Sequence, residues 1–109
     1  MGLVRGSDGI DFGDISIRDA FNEVKENDKD LYKHLERALN DILGNVFCGV
    51  QIPKKLFPAK YKHLGNLWKY DLPRAWRLLY TIKSPNKIEV IAVILDWMDH
   101  KDYERLFGY

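Results

Sequence analysis

The sequence predicts an α+β domain in which an N-terminal helical hairpin packs on an antiparallel β-meander of three or more strands, closed by a short C-terminal helical turn. Three observations carry this expectation. Apolar residues recur at helical spacing twice before residue 45, Pro53 and Pro58 then break the pattern, and three strand-like runs separated by turn residues follow. At 109 residues the length fits one compact domain. The expected layout is a flexible arm over residues 1–14 and a single domain over 15–109.

The first fourteen residues are rich in glycine and aspartate and have no periodicity, which reads as the arm. Ser16 followed by Asp19 resembles a helix-capping arrangement. Ile17, Ala20, Phe21 and Val24 then fall on one face of a short helix ending near Asn27. Asp28 can cap a second helix whose apolar stripe is Leu31, Leu35, Ala38, Leu39 and Ile42, with Gly44 in the C′ position. A connection this short makes the two helices antiparallel. Their outer faces mix both signs of charge, the composition of a solvated surface.

Residues 46–65 contain both prolines and Lys54, Lys55, Lys60 and Lys62, so they read as a long basic loop. Strands are expected over residues 66–72, 76–83 and 87–97, with turn chemistry at Pro73 and at Ser84, Pro85 and Asn86. In the first strand Leu67, Lys69 and Asp71 share one face and Trp68, Tyr70 and Leu72 the other, leaving one face of the meander free to be wet and basic. The last strand, apolar on both faces, belongs inside the sheet. Trp68, Trp76 and Trp97 read as core, and Cys48 as a small buried apolar side chain. Leu106 and Phe107 can dock the terminal helical turn.

A single cysteine excludes an internal disulfide and leaves no Cys/His cluster for structural zinc, so neither metal nor cofactor is expected. No apolar run reaches membrane-spanning length and the start lacks the apolar block of a signal peptide, which points to the cytoplasm. The formal net charge is only +1, but the charges are segregated. Residues 1–48 carry six basic against ten acidic side chains, whereas residues 49–77 carry seven basic against Asp71 alone. A basic stretch interleaved with Trp68, Tyr70 and Trp76 is the composition of a phosphate-tracking surface, and equally of a solvated loop beside core aromatics.

No self-sufficient catalytic motif is present: there is no phosphate-binding glycine loop, no HExxH and no GxSxG. Antiparallel pairing through the Pro85 turn should place Arg77 beside Asp96 and the segment DHKDY, which contains His100, Lys101 and Tyr103. Arg77 could equally be held by a plain ion pair with Asp96 or Asp71.

The stretch NLWKYDLPRAWRLLYTIKSPNKIEVIAVILDWMDHKDYERLFGY resembles the C-terminal half of RelE/ParE-superfamily toxins, and especially uncharacterised archaeal members with a similar ending. With the helical hairpin, the resemblance covers residue 17 to the end. It implies the toxin of a type II toxin–antitoxin pair, an endoribonuclease that cleaves mRNA on the ribosome by attack of a 2′-OH on the adjacent phosphate. A small antitoxin protein would wrap the basic face. Arg77 matches the family's strand arginine, a phosphate clamp, Tyr103 its terminal catalytic tyrosine, and Lys69 one of its strand lysines. The second lysine is replaced by Asp71 or Tyr70, and the arginine before the tyrosine is represented only by His100 or Lys101. Either His100 has taken over acid/base duty, as its intrinsic pKa permits, or nuclease activity is weakened or absent. The family's N-terminal strand is not evident in the first fourteen residues. RNA contacts are expected from Lys54, Lys55, Lys60, Lys62, Lys69 and Arg74. The alternatives are a ParE-like toxin acting on a topoisomerase and a non-enzymatic RNA- or ribosome-binding module.

Overall fold

The computed structural model describes residues 6–108. In chain order the elements are β1 (Gly9–Phe12), α1 (Ile15–Asn27), α2 (Lys29–Gly44), β2 (Val50–Gln51), β3 (Trp68–Leu72), β4 (Trp76–Lys83), β5 (Ile91–Met98) and α3 (His100–Phe107). The strands form one five-stranded mixed sheet in the order β1-β5-β4-β3-β2. The antiparallel meander β3-β4-β5 is its centre, extended by β2 on one side and by β1, parallel to β5, on the other.

Two helices form where apolar side chains recur at i, i+3, i+4 and i+7, and each is started by an aspartate. Asp14 accepts a hydrogen bond from the Ile17 N–H, and Asp28 accepts one from Leu31. Each such cap contributes about 1 kcal/mol. The capping expected of Ser16 is therefore provided two residues earlier, and the Ser16 hydroxyl donates to the Asp14 carboxylate instead. Gly44 is the last helical residue rather than a left-handed C′ glycine, and Asn45 closes the helix through its N–H to the Asp41 carbonyl.

The largest correction lies in the arm expected over residues 1–14. Gly9–Phe12 is a strand in register with Ile91–Ile94, and Ser7 and Asp8 lock it in place. The Ser7 N–H donates to Leu43, the Asp8 N–H to Val90, and the Val90 N–H to the Asp8 carboxylate. Four residues are too few to display periodicity against flanking glycines, and their pairing with β5 spans some eighty residues of sequence. Residues 1–5 lie outside the described residues. The strand expected over 87–97 begins later, at Ile91, because Asn86 accepts hydrogen bonds from the Ile88 and Glu89 N–H groups and turns the chain.

Two hydrophobic clusters sandwich the sheet. On one face α2 buries Leu35, Ala38 and Ile42 against Leu72, Leu78, Tyr80, Ala92 and Ile94, with all three tryptophans packed against them. Full burial of each large aliphatic side chain is worth about 1.5–3 kcal/mol. The opposite face is not left wet: the basic loop and α3 cover it with Ile52, Phe57, Tyr61, Leu64 and Tyr103 over Leu67, Leu79 and Met98. Pro53 and Pro58 each precede a single 3₁₀ turn, Lys54–Leu56 and Ala59–Tyr61, which brings Phe57 and Tyr61 inward. Cys48 is exposed, contrary to expectation, because its neighbour Phe47 takes the inward position against Trp68.

A bulge in β5 sets the geometry of the site. Leu79 pairs with Asp96 but Tyr80 pairs with Ile94, so Leu95 is the extra residue. Past the bulge the alternation is inverted, turning Trp97 towards the helices and Asp96 and Met98 towards the loop and α3.

Candidate functional site

Three elements meet on the loop-covered face. Lys69 of β3 and Arg77 of β4 project from the same side of the hairpin, because Asp71 is the register partner of Arg77 and Lys69 lies two residues from Asp71. Asp99 caps α3 by accepting from the Asp102 N–H at 2.9 Å, and the first turn then carries Tyr103 under the sheet. The Arg77 guanidinium lies 5.6 Å and the Lys69 ammonium 5.9 Å from the centre of the Tyr103 ring, and Phe107 stacks on that ring at 4.4 Å. The ring offers both cations a negatively polarised face. Arg77 thus meets Tyr103 as hairpin pairing predicts, and Lys69 joins them from β3.

Asp71 is the fourth member. Its carboxylate is 3.0 Å from Arg77 Nε and 3.4 Å from Lys69 Nζ. The Lys69 and Arg77 side chains are only 24% and 19% exposed, whereas that of Asp71 is 56% exposed. Although Arg77 Nε is close to the carboxylate, it is buried without an aligned hydrogen-bond acceptor among the described residues, so the contact is an ion pair and not a directed hydrogen bond. Asp96 is not the partner of Arg77. It sits opposite Leu79, and Met98 sits opposite Arg77.

The other expected site residues are placed less favourably. His100 and Lys101 are exposed in the first turn of α3, and His100 Nε2 lies 2.7 Å from Glu104 on its own helix, an i,i+4 pair. The Lys54 ammonium is tied to the Leu64 carbonyl at 2.9 Å, holding the loop in shape. Lys55, Lys60 and Lys62 are exposed on the loop that covers the same sheet face. Arg74 is elsewhere. It occupies a left-handed conformation in the β3–β4 turn, at φ 61°, and faces Asp30 of α2 at 3.5 Å, beside the helical hairpin.

An open groove of about 540 Å³ lies along α3, lined by Lys60, Asp96, Trp97, Met98, Asp102, Arg105 and Leu106. Burial pushes the Asp96 carboxyl above its ordinary value of 3.8, opposed by the Trp97 N–H and by Lys60. The sequence did not single out Asp96 as a groove residue, because its direction depends on the bulge at Leu95. Arg105 pairs with Asp102 at 3.1 Å along the groove wall.

The arrangement can bind an anion through two clustered, desolvated cations, and it brings a phenol to the same place. No group of His, Cys, Asp and Glu suited to holding a metal occurs among the described residues, and no described helix is long and apolar enough to cross a membrane. In comparisons with known proteins, no family model, no curated protein and no solved structure matches the chain.

Proposed function

We propose that this chain is a RelE/ParE-type toxin that holds single-stranded mRNA on the loop-covered face of its sheet and cleaves it by 2′-OH attack on the adjacent phosphate. The observation that carries the reading is the convergence of Lys69 and Arg77 on Tyr103 from β3, β4 and α3. These are the residues that the family resemblance assigns to phosphate binding and proton transfer. The strand Gly9–Phe12 adds support, since the resemblance calls for an N-terminal strand.

The chemistry needs cations around the pentacoordinate phosphorane, a base for the 2′-OH and a proton source for the departing 5′-oxygen. Lys69 and Arg77 supply the cations, already desolvated and fixed by strand register, so little reorganisation is needed as charge develops. The Tyr103 phenol and the His100 imidazole move the protons, with Glu104 orienting His100. Lys55, Lys60 and Lys62 track the backbone on either side, and the groove along α3 gives the chain a path past the cluster. The substrate is mRNA on the ribosome, the setting is the cytoplasm, and a small antitoxin neutralises the toxin by covering this face.

Two observations favour a second reading, an RNA- or ribosome-binding module that does not cut. His100 is engaged by Glu104, and Asp71 places a negative charge against both cations.

Inducible expression of the wild type, Arg77→Ala and His100→Gln in a host cell, with growth followed and mRNA 5′ ends mapped, separates these readings. Growth arrest with new cuts that disappear in both variants supports the interferase. Arrest without cuts moves the assignment to a topoisomerase-directed toxin, and no arrest leaves the binding module.

A further inference from the structure

Asp71 is the sole acidic residue among eight charged ones between residues 49 and 77, and the fold places it where an anion belongs. Register sets its carboxylate against Arg77, and alternation along β3 sets it against Lys69. Two cations over one aromatic ring and largely withdrawn from water repel each other unless a counter-charge lies between them. Asp71 supplies that charge from the solvent side.

The fit is nevertheless imperfect. A guanidinium favours a planar, two-pronged acceptor, yet Asp71 meets Arg77 at Nε without an aligned N–H, while Arg77 Nη1 turns back to the Trp76 carbonyl at 3.3 Å. A short aspartate stem fixed to a neighbouring strand cannot reach around the fork. A phosphodiester arriving from solvent is free to do so, and its two non-bridging oxygens can address Lys69 and Arg77 together.

We infer that Asp71 is a built-in stand-in for the substrate phosphate, filling the anion seat between Lys69 and Arg77 while the site is empty and leaving it when a phosphodiester of single-stranded RNA enters. The inference rests on the RNA reading above and adds its regulation. The exposed carboxylate needs only to rotate towards water, so displacement requires no movement of the backbone. While in place it keeps both cations in position, which lowers the ordering cost of binding. It also sets a threshold. A lone phosphate or a dinucleotide must displace Asp71 with nothing else gained, whereas a longer strand gains contacts with Lys55, Lys60 and Lys62. Asp71 thereby selects for polymeric RNA over the small phosphate esters of the cell.

The test is equilibrium binding, by fluorescence anisotropy, of a fully 2′-O-methylated RNA dodecamer and dinucleotide, neither of which can be cleaved. The proteins are the wild type, Asp71→Asn, Asp71→Ser and Arg77→Ala, each checked for folding by thermal melting. Removing one unit of negative charge beside the bound phosphate should tighten the dodecamer on the order of tenfold. It should bring dinucleotide binding into measurable range, with Asn and Ser alike. If both Asp71 variants bind the dodecamer as the wild type does, or more weakly, while Arg77→Ala binds less, Asp71 is a structural partner of the cations and the stand-in idea is overturned with the RNA site intact. If no protein in the series binds the dodecamer, the RNA site itself is wrong and the inference goes with it.

Discussion

The guanidinium of Arg77 lies 5.6 Å from the centre of the Tyr103 ring, so a residue in the middle strand of the sheet is tied to one on the terminal helix. The ring is buried between the sheet and Phe107, and its packing is separable from the chemistry of its hydroxyl. Tyr103→Phe should keep the fold, within about 1 kcal/mol of wild-type stability. It should also lower RNA cleavage about a hundredfold, the usual scale for losing a general acid or base. Tyr103→Ala should instead cost about 3–5 kcal/mol through the cavity it leaves. Chemical denaturation and a cleavage assay on the same preparations check both statements.

The basic groups divide by position. Lys55 and Lys62 are exposed on the loop over the site face, so replacing either by Gln should weaken RNA binding about equally for all sequences. Each replacement should reduce the slope of log K against log salt by about 0.7, the value for one single-strand phosphate contact. Arg74→Ala should leave both quantities unchanged, because Arg74 faces Asp30 beside the helical hairpin. A salt titration of RNA affinity reads all three.

The loop is anchored by a buried tyrosine. The Tyr80 hydroxyl donates to the Val46 carbonyl at 2.7 Å and accepts from the Gly49 N–H at 3.1 Å, and burial pushes its pKa far up. Tyr80→Phe strands both backbone groups and should cost about 1–3 kcal/mol. Gly49→Ala should be at least as damaging, since its Cβ would lie 2.5 Å from the Lys69 carbonyl oxygen and 2.8 Å from the Tyr80 hydroxyl. Both are read by equilibrium denaturation, and both should weaken RNA binding by loosening the loop.

Asp96 gives stability a predictable pH dependence. Its carboxyl is raised in the folded state, chiefly by burial, so the folded protein holds this proton more tightly than the unfolded chain does. The contribution is fully present below the unfolded value of 3.8 and is lost as pH rises through the folded value. At neutral pH the buried charge is a burden, and Asp96→Asn should therefore raise the melting temperature there. The advantage should shrink as the pH falls towards 4 and the wild-type carboxyl takes up its proton. Melting temperatures of the two proteins across that range decide the matter.

The helices and the meander were legible because each repeats its pattern over several turns or pairs. Leu35, Ala38 and Ile42 mark α2 by spacing alone, and Lys69 with Asp71 against Trp68 with Tyr70 mark the two faces of β3. The meeting of Arg77 with the segment that holds Tyr103 followed from hairpin pairing, whereas Lys69 entered through the family resemblance alone. What escaped depends on single distant contacts. Gly9–Phe12 becomes a strand only because β5 offers it an edge, and β2, with two residues, has no periodicity to read. Asp96 lies two residues from Met98, the register partner of Arg77, and the direction of its side chain depends on the extra residue at Leu95, which no local pattern marks. Arg74 follows its left-handed backbone to the opposite side of the turn, and no feature of the local sequence specifies a positive φ at Arg74 and Ala75. The His100–Glu104 pair is an i,i+4 contact set by helical spacing within α3.

The central claim is 2′-OH attack on a phosphate held by Lys69 and Arg77, and the end groups of the cut RNA test it most directly. In a translating extract supplied with the purified protein and a defined mRNA, cleavage should leave a 2′,3′-cyclic phosphate and a 5′-hydroxyl. A single 2′-deoxy substitution at the mapped site should abolish the cut. Ends bearing a 5′-phosphate, cleavage that survives the 2′-deoxy substitution, or an intact message would contradict the account.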